Sequence, residues 1–159
     1  MTVVRAMRSS RQGGFSLVEV ILALGLLAGV LISIAGLFVL GGRQVRSGRA
    51  SSEALSVARM ILEETEGWGF RQTFERYGFD GAAPSYVVDT RDPGYAGRWQ
   101  AELDRMLHDS HATVEIRSVA AAGVPAPPLE DARAIRVVVT VHWSEAARAR
   151  SLQLGTVRM

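Results

Sequence analysis

The chain contains no cysteine and no lysine, and its first proline is Pro84. Without cysteine, a thiol nucleophile is excluded and no disulfide can staple a small extracytoplasmic domain. Other catalytic signatures are missing too: no G-x-S-x-G, no Walker phosphate loop and no H-E-x-x-H occurs. The expectation is a protein that is not an enzyme and uses no cofactor. No basic stripe with interleaved aromatics suggests nucleic-acid binding. Acidic residues are absent from the first fourteen positions. The 26 positions from Phe15 to Leu40 hold a single ionisable side chain, Glu19.

What is present is the apolar run itself. As a helix it measures about 39 Å at 1.5 Å per residue, and a bilayer core of roughly 30 Å needs about 20 residues. It is longer than a cleaved secretory h-region, and Leu37 to Arg43 is a poor small-residue cleavage site. Arg5, Arg8 and Arg11 precede the run, which by the positive-inside bias places the N-terminus in the cytoplasm. A carboxylate near the end of a membrane helix costs on the order of 2–3 kcal/mol, so Glu19 needs a partner. No Arg or His lies within the run, so that partner must come from outside it. Cutting the chain after Gly14 would create one, a free α-amine on Phe15.

Gly14-Phe15-Ser16-Leu17-Val18-Glu19, with a basic leader before and an apolar helix after, resembles the class III signal of type IV pilins and type II secretion pseudopilins. The resemblance implies that a prepilin peptidase cuts after Gly14 and N-methylates Phe15. It also implies that Glu19 neutralises the terminal amine of an adjacent subunit during assembly. Such a cut removes three arginines, leaving 15 basic against 16 acidic residues, where the whole chain carries +2. The implied partners are the peptidase, other pseudopilins or pilins packed helix to helix, and the inner membrane. The C-terminal domain would be periplasmic. Lack of cysteine departs from the many main pilins that close a C-terminal loop with a disulfide, and favours the pseudopilin or minor-subunit side of the family.

Four segments follow: a leader at 1–14, a membrane-spanning half-helix at 15–40, an amphipathic half at 41–66 and a globular part at 67–159. Gly25, Gly29 and Gly36 lie inside the span, with Gly25 and Gly29 as a G-x-x-x-G step. Lacking a proline there, the helix has Gly36 or Gly41-Gly42 as its weak points. Ala54, Leu55, Ala58, Ile61 and Leu62 form one stripe, Arg59 and Glu63 an i,i+4 pair, and Gly67 and Gly69 a stop. Beyond a glycine- and proline-rich loop with a short helix near 73–77, the pattern predicts a strand at 85–90 and a helix at 98–108. Strands at 112–119, 134–143 and 151–157 follow, with turns at 120–131 and 144–149.

The fold class is therefore α+β and pilin-like: a long N-terminal helix packed on a small antiparallel sheet. The closing pattern, a β-branched strand ending in Trp143 and then a last short strand, is similar to I-type minor pseudopilins and PilV-like minor pilins. His108-Asp109-Ser110-His111 has H-x-x-H spacing but no evident third zinc ligand, and reads as a solvated turn. His142 falls on a polar strand face. Asp80, Asp89, Asp92 and Asp104 match no EF-hand spacing, so no metal is assigned. The function expected is a minor pseudopilin of a type II secretion system. A minor pilin of a type IV or DNA-uptake pilus is the alternative within the family. A membrane-anchored binding module that never assembles is the alternative outside it.

Overall fold

A computed structural model describes Gly14 and residues 16–159. The first helix, α1, runs unbroken from Leu17 to Glu66. Two compact units divide it: residues up to Gln44 belong to one, and Val45–Met159 form the other.

In the first unit α1 is apolar on every side. Its leucines, isoleucines and valines are exposed all round the helix, and the most apolar window has no buried share. By length and composition it can cross a membrane. Ser33 Oγ donates to the carbonyl of Gly29 at 2.9 Å, which satisfies the hydroxyl within its own helix.

The second unit is built on a four-stranded antiparallel sheet in the order β1-β2-β3-β4: Ser85–Asp89, His111–Ser118, Ile135–Glu145 and Arg148–Arg158. Alternation along β3 sends Ile135, Val137, Val139, Val141 and Trp143 to one face, and all five are buried. Ala112, Val114 and Ile116 of β2 join them. The second half of α1 covers this face with Ala54, Val57, Ala58, Ile61, Leu62 and Thr65. A one-turn helix α2 (Gln72–Glu75) adds the buried Phe74, and a short helix α3 (Gly97–Met106) between β1 and β2 adds Trp99 and Leu103, with Leu107 just beyond it. Each fully buried Ile, Leu or Phe contributes about 1.5–3 kcal/mol of transfer free energy. The α+β arrangement is the one expected, a long helix against a small antiparallel sheet.

Several details differ. Leu55 is only half-buried, and Val57 takes its place in the stripe. Arg59 and Glu63 form no ion pair; the pair on this part of α1 is Arg49–Glu53 at 2.8 Å. The helix stops after Glu66 as predicted, but the left-handed glycines lie elsewhere, at Gly78, Gly81, Gly94 and Gly123. Its terminal carbonyls are met from the far end of the chain. Arg158 donates to the carbonyls of Thr65 (2.9 Å) and Trp68 (2.6 Å) and to Thr73 Oγ1 (2.8 Å). A cation at a helix C-terminus also complements the helix dipole.

The turn expected over 144–149 is only two residues long, Ala146 and Ala147, with φ of 49° and 61°. Two successive positive φ values define a tight hairpin that normally selects Asn-Gly; alanines give no such signal, so β3 and β4 run longer than their patterns suggest. His111 is the first residue of β2 rather than part of a turn. Val138, on the polar face, is nonetheless buried: it lies opposite Gly155, whose missing side chain leaves room for it. A 3-10 turn at Leu129–Asp131 inserts Leu129 into the core from within the expected loop. Here Gly81 is required on two grounds: φ is 86°, and a Cβ would stand 2.7 Å from Phe74.

Candidate assembly site

The residues singled out by sequence lie at the start of α1. Gly14 is exposed and precedes the helix; Phe15 and residues 1–13 lie outside the described residues. The carbonyl of Ser16 accepts from the backbone N–H groups of Glu19 (2.9 Å) and Val20 (3.2 Å), which makes Ser16 the N-cap residue. Glu19 therefore occupies the third helical position. Ser-x-x-Glu there is the sequence of a capping box, in which each side chain bonds the other residue's backbone N–H. Neither bond forms. Glu19 has no hydrogen-bond or ion-pair partner among the described residues, and it is exposed beside a shallow apolar groove of Val20, Ala23, Leu24 and Leu27. The helix dipole favours an anion there by about 0.3–1 kcal/mol, less than the cost of carrying it into lipid.

Arg43, Arg46 and Arg49 follow the apolar run and are exposed. The charge asymmetry read from Arg5, Arg8 and Arg11 is consequently smaller over both flanks of the span.

Glu64, on the same helix, shows what a satisfied carboxylate looks like. It accepts from Tyr95 Oη, Arg98 Nη2 (2.7 Å) and Trp99 Nε1 (3.2 Å). Trp68, Tyr77, Tyr95 and Trp99 pack edge to face around it, and Arg76 and Arg98 lie over their rings at 4.8 Å from Trp68 and Tyr95. Burial holds the Tyr77 hydroxyl well above its ordinary pKa, and that oxygen has no hydrogen-bond partner among the described residues. The cluster ties the end of α1 to α3 and the loop before it, a role the sequence pattern did not reveal because Glu64 and its three donors are 31 to 35 residues apart.

The histidines are rearranged relative to expectation. His108 is exposed, and its backbone carbonyl accepts from Ser144. His111 instead stacks on His142, its cross-strand neighbour on β3, with ring centroids 4.7 Å apart. Only the strand register brings these two together. Burial lowers the His111 pKa, helped by Arg91 and opposed by Asp89, whose Oδ2 lies 4.0 Å from His111 Nε2. Each aspartate considered for calcium but one has a local partner. Asp80 accepts from Ala82 N and Tyr86 Oη, Asp89 takes Arg91 in a two-point pair, and Asp104 accepts from Gln100. Among the described residues no three His, Cys, Asp or Glu side chains gather to hold a metal ion.

No protein-family model, no curated protein and no solved structure matches the chain.

Proposed function

We propose that this chain is a minor pseudopilin, a structural subunit that assembles into the pseudopilus of a type II protein secretion system. In this reading prepilin peptidase cuts after Gly14 and methylates the new terminus, Phe15. The subunit waits in the inner membrane with its N-terminus cytoplasmic and its sheet domain periplasmic, then packs helix to helix with its neighbours. The observation that carries the reading is the contrast between two glutamates on one helix: Glu64 has three donors from its own chain, and Glu19 has none among the described residues.

The chemistry is that of register. Apolar surface on the first half of α1 supplies adhesion but is nearly uniform along the helix, so it cannot fix axial position. A Phe15 amine on one subunit set opposite Glu19 on the next does fix it, since any other offset leaves both charges unpaired in lipid. Such a pair adds little net stability and much discrimination.

Glu19→Ala tests this. Expressed with a prepilin peptidase and partner pseudopilins, the variant is expected to be cleaved normally and to drop out of sheared or crosslinked fibres. A variant incorporated as well as the parent chain would remove the role assigned to Glu19 and favour an anchored module that does not assemble.

A further inference from the structure

The sheet has two edges, and they are unequal. β1 offers five residues following Pro84, whereas β4 offers eleven, Arg148–Arg158, with no proline. Its register against β3 is continuous from Glu145↔Arg148 to Ile135↔Arg158, so no bulge interrupts it. In a two-residue hairpin the pair flanking the loop exchanges both backbone bonds, and bonded pairs recur at every second position. The N–H and C=O groups of Ala149, Ser151, Gln153, Gly155 and Val157 therefore point away from β3, and no backbone partner meets them among the described residues. Natural sheets rarely leave an edge of this length unguarded.

The side chains say what would fit. Arg148, Arg150, Leu152 and Leu154 share one face of β4. Both leucines are only half-buried at the rim of the core, and both arginines are exposed. Among the described residues Arg150 has one acid within reach, Glu145 at 3.5 Å, and β4 itself has no acidic residue. A second copy is a poor match: antiparallel self-pairing centred on Gln153 sets Arg148 against Arg158, and centring on Ser151 sets both arginines against the leucines.

We infer that the free edge of β4 is a strand-addition site for an extended acidic–apolar segment of another protein. That segment carries apolar residues opposite Leu152 and Leu154 and, on the same face, carboxylates opposite Arg150 and Arg148. Backbone bonds supply affinity, and the two carboxylates with the two apolar contacts supply selectivity. The edge lies wholly within the second unit, so the inference does not depend on the fate of the apolar half of α1.

The probe is a fluorescent nine-residue peptide with threonine at even positions, valine at positions one, three and five, and glutamate at seven and nine. Binding is read by anisotropy on the full chain in detergent micelles. The peptide is expected to bind, its lysine-for-glutamate counterpart about tenfold more weakly, the scale of two cross-strand charge pairs turned from attraction to repulsion. A version N-methylated on the N–H groups that face β4 should not bind. Gln153→Pro removes an N–H that β3 does not use and should abolish binding while leaving the circular dichroism of the sheet unchanged. The double variant Arg148→Glu/Arg150→Glu, at exposed positions, should exchange the preference to the lysine peptide. No binding by the parent chain, equal binding of the two peptides, or a double variant that keeps the original preference would overturn the inference. So would a dimer of the chain itself that Gln153→Pro dissolves, which would assign the edge to a second copy.

Discussion

Ile32 and Ile61 are the same residue on the same helix, and one is 74 % exposed while the other is fully buried. The halves of α1 differ likewise in their glutamates: Glu64 is saturated by its own chain, and Glu19 has no partner among the described residues. Up to about Leu40 every face of the helix is apolar and none is buried among the described residues; from Ala54 onward one face is apolar and the sheet covers it. The lesson is that the two halves suit different surroundings. The second is stabilised by burial on folding, so its sequence has the 3.6-residue stripe of a water-soluble helix. The first has no stripe, the pattern of a helix apolar enough to cross a membrane, where lipid or a neighbouring helix would meet it from any side.

This contrast says where damage should register. Ile61→Ala leaves a cavity under the sheet and should lower the unfolding free energy of the second unit by about 2–5 kcal/mol. Ile32→Ala, a chemically identical change, should move it by less than about 0.5 kcal/mol. Urea titration in micelles followed by tryptophan emission measures both, and comparable losses would break the comparison. Next in size is Arg158→Met, which strips the donors from the carbonyls of Thr65 and Trp68; a loss of about 2–3 kcal/mol is expected, as for bonds to a charged group. The hairpin offers an effect of opposite sign. Ala147→Gly relieves a left-handed alanine and should stabilise by roughly 0.5 kcal/mol, the strain relieved less the extra chain entropy of glycine.

The smallest effect is a pH dependence confined to the second unit. The His111 pKa is lowered in the fold, by burial first and then by Arg91. The unfolded chain therefore takes up the proton first as pH falls below the ordinary histidine value near 6.5. Stability is full above that value and declines as the pH falls from it toward the folded pKa. His111→Gln should flatten this part of the stability profile, and an unchanged slope would show that another group carries it.

Much of this was legible in the sequence because it is local. The apolar run, the Glu19 anomaly, the stripe on α1 and the alternation of β3 are each written within a dozen or two dozen residues. What escaped was set by register and by distance along the chain. His111 meets His142 only through the pairing of β2 with β3, Glu64 meets Trp99 across 35 positions, and Arg158 reaches the helix end across 93. The turn expected over 144–149 is there, but its two-residue tightness at Ala146-Ala147 escaped for another reason: alanine carries no preference for the left-handed region, so the longer strands on either side had to impose it.

The central claim is that the apolar half of α1 is a processed assembly helix, and the intact mass and N-terminal sequence test it most directly. The chain would be expressed with and without a prepilin peptidase. The account predicts a peptidase-dependent product that starts at Phe15 and carries one added methyl group. A leader retained in the presence of the peptidase, or a cut beyond Leu40, would contradict it.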